Sequence, residues 1–376
     1  MYLTLCADPC TIIENITTII GEIMDWSEKT IAYIAGAMDG DGSFSIVKNN
    51  TKASPNYYPI LQFTNWRKSV VYLLKDVFGG HIIKSKPSLR KDGSLGHAIY
   101  RWKLRSGNNV KPALERLIPF LRIKKDRASF LLDFVNNFKF IRGYRIEKDV
   151  LESRESSYIK MIDYNCWSSS SNMVTTKLAK QDSNDAVFWA YVAGMMDTDG
   201  SFSIKRQNRN KGTQVINPRY IPCINISSID TRALNYIREN CSYGKICNPK
   251  NKTSSSGFHY QFGIYSRKDC ASFITNILPY LVGKKENAQV LLDFCVNAKN
   301  TKYCKVGISD EELLFRDNCY KKLVALNKYG VYKPSLMDLK PLPGEAGGDK
   351  AEAGDKPGTV NAVSERAPLK NGDAEL

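Results

Sequence analysis

Ile31-Ala-Tyr-Ile-Ala-Gly-Ala-Met-Asp-Gly-Asp-Gly-Ser-Phe-Ser-Ile46 returns as Trp189-Ala-Tyr-Val-Ala-Gly-Met-Met-Asp-Thr-Asp-Gly-Ser-Phe-Ser-Ile204. Downstream, Tyr100-Arg-Trp-Lys-Leu through Leu117-Ile-Pro-Phe-Leu121 matches Tyr260-Gln-Phe-Gly-Ile through Ile277-Leu-Pro-Tyr-Leu281. Lys124-Lys125 and Leu131-Leu-Asp-Phe134 match Lys284-Lys285 and Leu291-Leu-Asp-Phe294, and Leu151 to Asn165 runs parallel to Leu313 to Asn327. Four blocks recurring in one order mark a duplicated unit, and the period is far too long for a solenoid, whose repeats run ~20–50 residues. The expected division is an extension over 1–29, a first domain over 30–165, a tether over 166–186, a second domain over 187–330 and a disordered tail over 331–376.

Each copy reads as a helix, two strands, a helix, two strands and further helices, an α+β fold of two pseudo-symmetric α-β-β-α-β-β-α domains. Ile31–Met38 is apolar nearly all round, which predicts a helix buried on most faces. Ser43–Ile46 alternates, with Phe44 and Ile46 inward and Ser43, Ser45 and Val47 outward. Pro59–Thr64 reads as a second strand and Val70–Val77 as a helix stopped by Gly79-Gly80. Tyr100–Arg105 puts Tyr100, Trp102 and Leu104 inward and Arg101, Lys103 and Arg105 outward. A cation on every second residue makes a flat basic surface suited to a β-ribbon in the major groove. The second copy keeps the core (Phe202, Ile204) but presents Ser203, Lys205 and Gln207, then Gln261, Gly263 and Tyr265. Gln62 and Asn225 complete the outward set on the second strand of each copy. One scaffold with two unlike faces suits a target that is roughly, but not strictly, palindromic.

The 376 residues carry 54 Lys plus Arg against 38 Asp plus Glu, a net charge of +16. The tail from Asp338 onward is mildly acidic, so the charge belongs to the duplicated part. Such a surplus points to a polyanion, nucleic acid before membrane. The longest apolar run, Ala186 to Met196, is well short of the ~20 residues that span a bilayer. Asp8, Pro9 and Glu14 interrupt what would be a signal core, so an intracellular protein is expected, in a bacterial cytoplasm or an organelle. Ten cysteines without a C-x-x-C and only three histidines leave no zinc spacing and suggest reduced, mostly core thiols. Residues 1–29 have apolar spacing consistent with an accessory helix.

Asp41 and Asp199 sit where an apolar helix ends, and a carboxylate there opposes the helix dipole by ~0.3–1 kcal/mol. The cost is repeated in both copies, which suggests a bound cation. If the two helices pack through Ala32, Ala35, Gly36 and Ala190, Ala193, Gly194, the acids meet at the pseudo-dyad. Adjacent carboxylates repel unless a hard divalent ion lies between them, and few oxygen ligands completed by water and phosphate suit Mg²⁺. An EF-hand is excluded, because Phe44 or Phe202 falls where its glycine must be and Asn50 or Asn208 where its last glutamate must be. No phosphate loop occurs. Gly263-Ile-Tyr265 is explained by the repeat as the partner of Lys103-Leu-Arg105.

Ile34-Ala-Gly-Ala-Met-Asp-Gly-Asp-Gly42 and Val192-Ala-Gly-Met-Met-Asp-Thr-Asp-Gly200 resemble the signature of the LAGLIDADG homing endonucleases in their single-chain, two-motif form. The resemblance implies saddle-shaped sheets astride DNA, with the two signature helices as the interface. It implies Asp41 and Asp199 as metal ligands, joined by the backbone carbonyls of Gly40 and Thr198. Asn65 and Ser228 align with a polar residue that organises active-site water, and Lys124 and Lys284 with a basic residue near the phosphates. Ser228 is shorter than the usual amide, and Thr198 replaces a small residue. Asp39 and Asp197 are expected to serve the helix end. The activity implied is Mg²⁺-dependent hydrolysis of both strands of a long DNA site by a monomer. The alternative is an intron maturase that binds intron RNA to assist splicing, with or without cleavage.

Overall fold

The computed structural model describes residues 27–50, 55–87, 89, 96–137, 147–166, 180, 182–211, 214–247, 260–299 and 308–328. The first copy runs α1 (Glu28–Asp41), β1 (Gly42–Asn50), β2 (Pro55–Asn65), α2 (Lys68–Phe78), β3 (His81–Lys84), β4 (Tyr100–Arg105), α3 (Gly107–Leu117), α4 (Lys125–Asn137) and α5 (Lys148–Cys166). The second runs α6 (Ala186–Thr198), β5 (Gly200–Lys211), β6 (Gln214–Ser228), α7 (Thr231–Asn240), β7 (Lys245–Cys247), β8 (Tyr260–Ile264), α8 (Arg267–Ile277), α9 (Lys285–Asn297) and α10 (Asp310–Asn327). The α+β reading holds, and the two copies fold alike.

Each copy builds one antiparallel four-stranded sheet, ordered β1-β2-β4-β3 and β5-β6-β8-β7. The alternation read from the sequence becomes the register: Phe44 pairs with Leu61 and Leu61 with Leu104, as Phe202 pairs with Ile224 and Ile224 with Ile264. All six are fully buried or nearly so, and the helices cover that face. At ~25 cal/mol per Å², burying an aliphatic or aromatic side chain contributes ~1.5–3 kcal/mol, so these rows fix the register.

Helix α1 starts at Ser27, whose side chain accepts from the Thr30 N–H at 3.4 Å, and α6 starts at Asp185, which accepts from the Val187 N–H at 2.8 Å. Both helices are buried on almost every face. Their glycines set the crossing: a Cβ on Gly36 would lie 3.0 Å from the Tyr191 carbonyl carbon, and one on Gly194 2.7 Å from the Ala37 nitrogen.

Several boundaries differ from the sequence reading. Residues 28 and 29 belong to α1, with Ser27 as its cap, rather than to an extension, and β2 begins at Pro55 rather than Pro59. The end of the expected tether is bound in place: Asp182 accepts from Ser242, and the Ser183 carbonyl accepts from the Trp189 indole at 2.7 Å. The accessory helix proposed within 1–29, apart from 27–29, and the tail over 331–376 lie outside the described residues. Among the described residues no helix is long and apolar enough to cross a membrane. Cys223, Cys241, Cys270 and Cys295 are buried free thiols.

Candidate nucleic-acid interface and acidic centre

The ends of α1 and α6 are locked by reciprocal contacts. Tyr33 of α1 donates its hydroxyl to Asp197 at 2.7 Å, and Tyr191 of α6 donates to Asp39 at 2.9 Å. Asp39 also accepts the backbone N–H groups of Arg122, Ile123 and Lys124, and Asp197 those of Val282, Gly283 and Lys284. These two carboxylates therefore hold the loops before α4 and α9 against the signature helices. They are spent on the scaffold. Burial pushes both tyrosine hydroxyls well above their ordinary range, with the facing carboxylates adding to it, so both remain donors.

Lys124 and Lys284 occupy matching positions below the helix ends. Lys124 Nζ donates to the carbonyls of Met38, Gly40 and Gly42 at 2.9, 2.8 and 2.7 Å. Lys284 Nζ donates to those of Met196, Thr198 and Gly200 at 2.8, 3.0 and 2.7 Å. An ammonium has three protons, and each is used here on a helix-end carbonyl. Both ammonium groups thus lie against the backbone at the helix ends, close enough to Asp41 and Asp199 to feel their charge. The Gly40 and Thr198 carbonyls, expected as metal ligands, are among those the lysines hold. Burial lowers both lysines to about 8, against the pull of the nearby aspartates.

Asp41 and Asp199 remain at the junction. Asp41 keeps solvent contact, and Asn65 Nδ2 donates to its Oδ2 at 2.7 Å while Asn65 Oδ1 accepts from the Arg67 N–H. Ser228, in the matching place, instead accepts from the Asp230 N–H at 3.1 Å and makes no hydrogen bond to Asp199. Burial raises both carboxyls. The fall due to Asn65 offsets this in part at Asp41, whereas Asp41's own charge adds to it at Asp199, which reaches about 6. Thr198 turns its hydroxyl back to the Gly194 and Met195 carbonyls, and its Cβ would lie 2.6 Å from a Cβ on Gly40. A cavity of about 690 Å³ opens over this junction, lined among others by Asp41, Asn65, Trp66, Asp199 and Lys284. Trp66 stacks on His97 at 4.3 Å, and the Arg67 guanidinium lies 4.2 Å from the Trp66 ring centroid.

The helix-free faces of the sheets carry the remaining candidates. On the first, Arg101 and Arg105 are exposed and Ser45, Val47, Gln62 and Lys103 half-exposed. Ser43, Gln62, Lys103 and His81 form one cross-strand row. Burial lowers Lys103, and its neighbours Arg105 and Arg101 lower it further. On the second, Lys205 and Gln207 are exposed, Ser203, Gln261 and Tyr265 half-exposed, and Asn225 buried. Sequence reasoning missed Tyr33, Tyr191, His81 and Lys245. The tyrosines were findable, because both copies of the opening stretch carry one at the same place.

Fold and site together define a class: a duplicated α+β fold whose two glycine-bearing helices bring paired acids to the junction of two four-stranded sheets. This is the fold of the LAGLIDADG homing endonucleases. Two solved members, I-SmaMI bound to an uncleaved DNA target with calcium ions and I-GzeII in complex with its DNA target, superpose with TM-scores of 0.56 at 15% and 16% identity; each match covers 77% of this chain and 97% of theirs. I-LtrWI bound to target DNA matches with a TM-score of 0.52 at 14% identity, covering 78% of this chain and 97% of that one. The intron-encoded DNA endonuclease aI3 of Saccharomyces cerevisiae is 24% identical over 197 residues, or 51% of this chain. The matched region spans 40% of that relative's length. No family model matches the chain.

Proposed function

We propose that the chain is a site-specific double-strand DNA endonuclease of the homing type that needs a divalent cation such as Mg²⁺. The observation that carries this reading is the pairing of Asp41 and Asp199 at the junction of two outward-facing basic sheets. Among the described residues no three or more His, Cys, Asp or Glu side chains group as a metal cage. Two carboxylates with open positions fit an ion that keeps water and takes phosphate oxygens as ligands. Asp41 and Asp199 would hold such an ion, which would supply water activation and stabilise charge developing on the scissile phosphate. The chain's own residues orient and hold: Asn65 fixes Asp41, the two lysines fix the helix ends, and the sheets position the duplex. The DNA-bound solved relatives support DNA as the partner, and a monomer is sufficient because one chain supplies both halves. Maturase activity would need neither acid.

Asp41→Asn and Asp199→Asn are each expected to abolish Mg²⁺-dependent cleavage of sites selected from a randomised duplex library, with specific binding largely kept. Cleavage at the wild-type rate by either variant would sink the assignment. Selective enrichment of intron RNA over all DNA would favour the splicing reading instead.

A further inference from the structure

The two helix-free faces differ most where the first presents Lys103 and Arg105. There the second presents Gly263 and Tyr265. Tyr265 folds back over Gly263: a Cβ on that glycine would lie 2.7 Å from Tyr265 Cζ and 2.9 Å from Cε2. The Tyr265 hydroxyl donates to Asn225 Oδ1 at 3.2 Å, and Asn225 Nδ2 donates to Cys223 Sγ at 2.9 Å. The amide is thus fixed from both ends. Lys205 and Lys245 stand 5.5 and 5.8 Å from the ring centroid, within cation–π reach of it. Every element of this platform lies on the face that carries Ser203 and Lys205, because Asn225 pairs with Gly263 and Gly263 with Lys245.

The chemistry offered is unlike that of the first sheet. Arginine and lysine donors suit the O6 and N7 acceptors of guanine, whereas an apolar ring surface suits the C5 methyl of thymine. Tyr265 has its hydroxyl committed to Asn225, so what it presents is ring. Its half-exposed position leaves that surface available.

We propose that Tyr265, positioned by Gly263 and Asn225, is a specificity-determining residue of the second sheet and selects a thymine methyl in its half-site, while the first sheet selects guanine. This rests on the endonuclease reading above. It makes the target chemically lopsided: guanine-rich under Arg101, Lys103 and Arg105, thymine-bearing under Tyr265.

The test begins with selection of bound duplexes from a randomised library by the full chain in Ca²⁺. One half-site enriched in guanine and the other in thymine is expected. Deoxyuridine then replaces the enriched thymine, which removes the methyl alone, and wild type should bind that duplex about tenfold more weakly, the scale of one lost base contact. Gly263→Ala should erase the difference between thymine and deoxyuridine while leaving guanine selection intact. The three atoms nearest the new methyl all belong to the far end of the Tyr265 side chain rather than to backbone, so the variant should keep its melting temperature. Equal binding of thymine and deoxyuridine by wild type overturns the inference whether or not the variant folds. Enrichment of no DNA at all overturns the endonuclease reading, and this inference with it.

Discussion

At the scale of single residues, the acidic centre is asymmetric, and the asymmetry has a pH signature. Asp41 has Asn65 as a partner, whereas the corresponding Ser228 is turned to the Asp230 N–H. Asp199 therefore bears the burial and the charge of Asp41 with less relief, and its carboxyl rises to about 6. In the metal-free protein the native state then binds this proton more tightly than the unfolded chain does. Stability from that source is full below about 4, where both states are protonated, and is lost as pH rises through about 6. Asp199→Asn removes the titration. The variant is expected to gain on wild type by about 2 kcal/mol between pH 4 and pH 7, read from denaturation midpoints without metal. Adding Mg²⁺ at pH 7 should raise the wild-type midpoint and leave the variant's nearly unchanged. A stability difference that does not move with pH would refute the assignment of this carboxyl as the strained one.

At the scale of elements, close helix approach does what side-chain chemistry alone could not. Gly36→Ala and Gly194→Ala each put a methyl against the backbone of the opposite helix, which cannot swing aside. Alanine would otherwise favour the helix by ~1 kcal/mol, so the clash has to exceed that gain. Both variants are expected to lose stability at the upper end of the ~1–3 kcal/mol typical of overpacking. Thermal melts check this; an unchanged or raised midpoint would mean the helices do not touch there. The helix pairing and the sheet faces were legible in the sequence because burial follows periodicity, and Gly36 and Gly194 recur at one place in both copies. Which carbonyls Lys124 and Lys284 meet was not legible, because a long side chain can reach several places from one position and no pattern says which it takes. The Tyr33–Asp197 and Tyr191–Asp39 contacts join residues more than 150 positions apart, a distance that local spacing does not encode. Ser228 was suspected for its length, yet its actual partner, two residues on, is a turn contact common to serine.

For the whole molecule, the question is where the positive surplus can act. On the helical side many cations already have acids: Lys48 meets Glu155, Arg232 meets Asp126 and Asp230, and Arg316 meets Glu312. Among the described residues no carboxylate pairs with Arg101, Lys103 or Arg105. They crowd one strand, and burial, followed by repulsion from the charges of Arg105 and Arg101, lowers the pKa of the Lys103 ammonium. A polyanion relieves that repulsion, which makes binding strongly salt-dependent. If the saddle neutralises ~6–10 phosphates, affinity should fall ~10³–10⁵-fold between 50 and 200 mM salt. Within that total, a phosphate contact and a base contact leave different marks. Removing a phosphate contact lowers the salt slope by ~1 and weakens all sequences alike, whereas removing a base reader relaxes one position. Arg101→Ala and Arg105→Ala, measured by fluorescence anisotropy over a salt series on the selected site and on single-base variants, are expected to give the second result. Uniform weakening with a reduced slope would reassign these arginines to the backbone. The guanine selection ascribed to the first sheet would then fall to Lys103 and its row partners, Gln62 and His81.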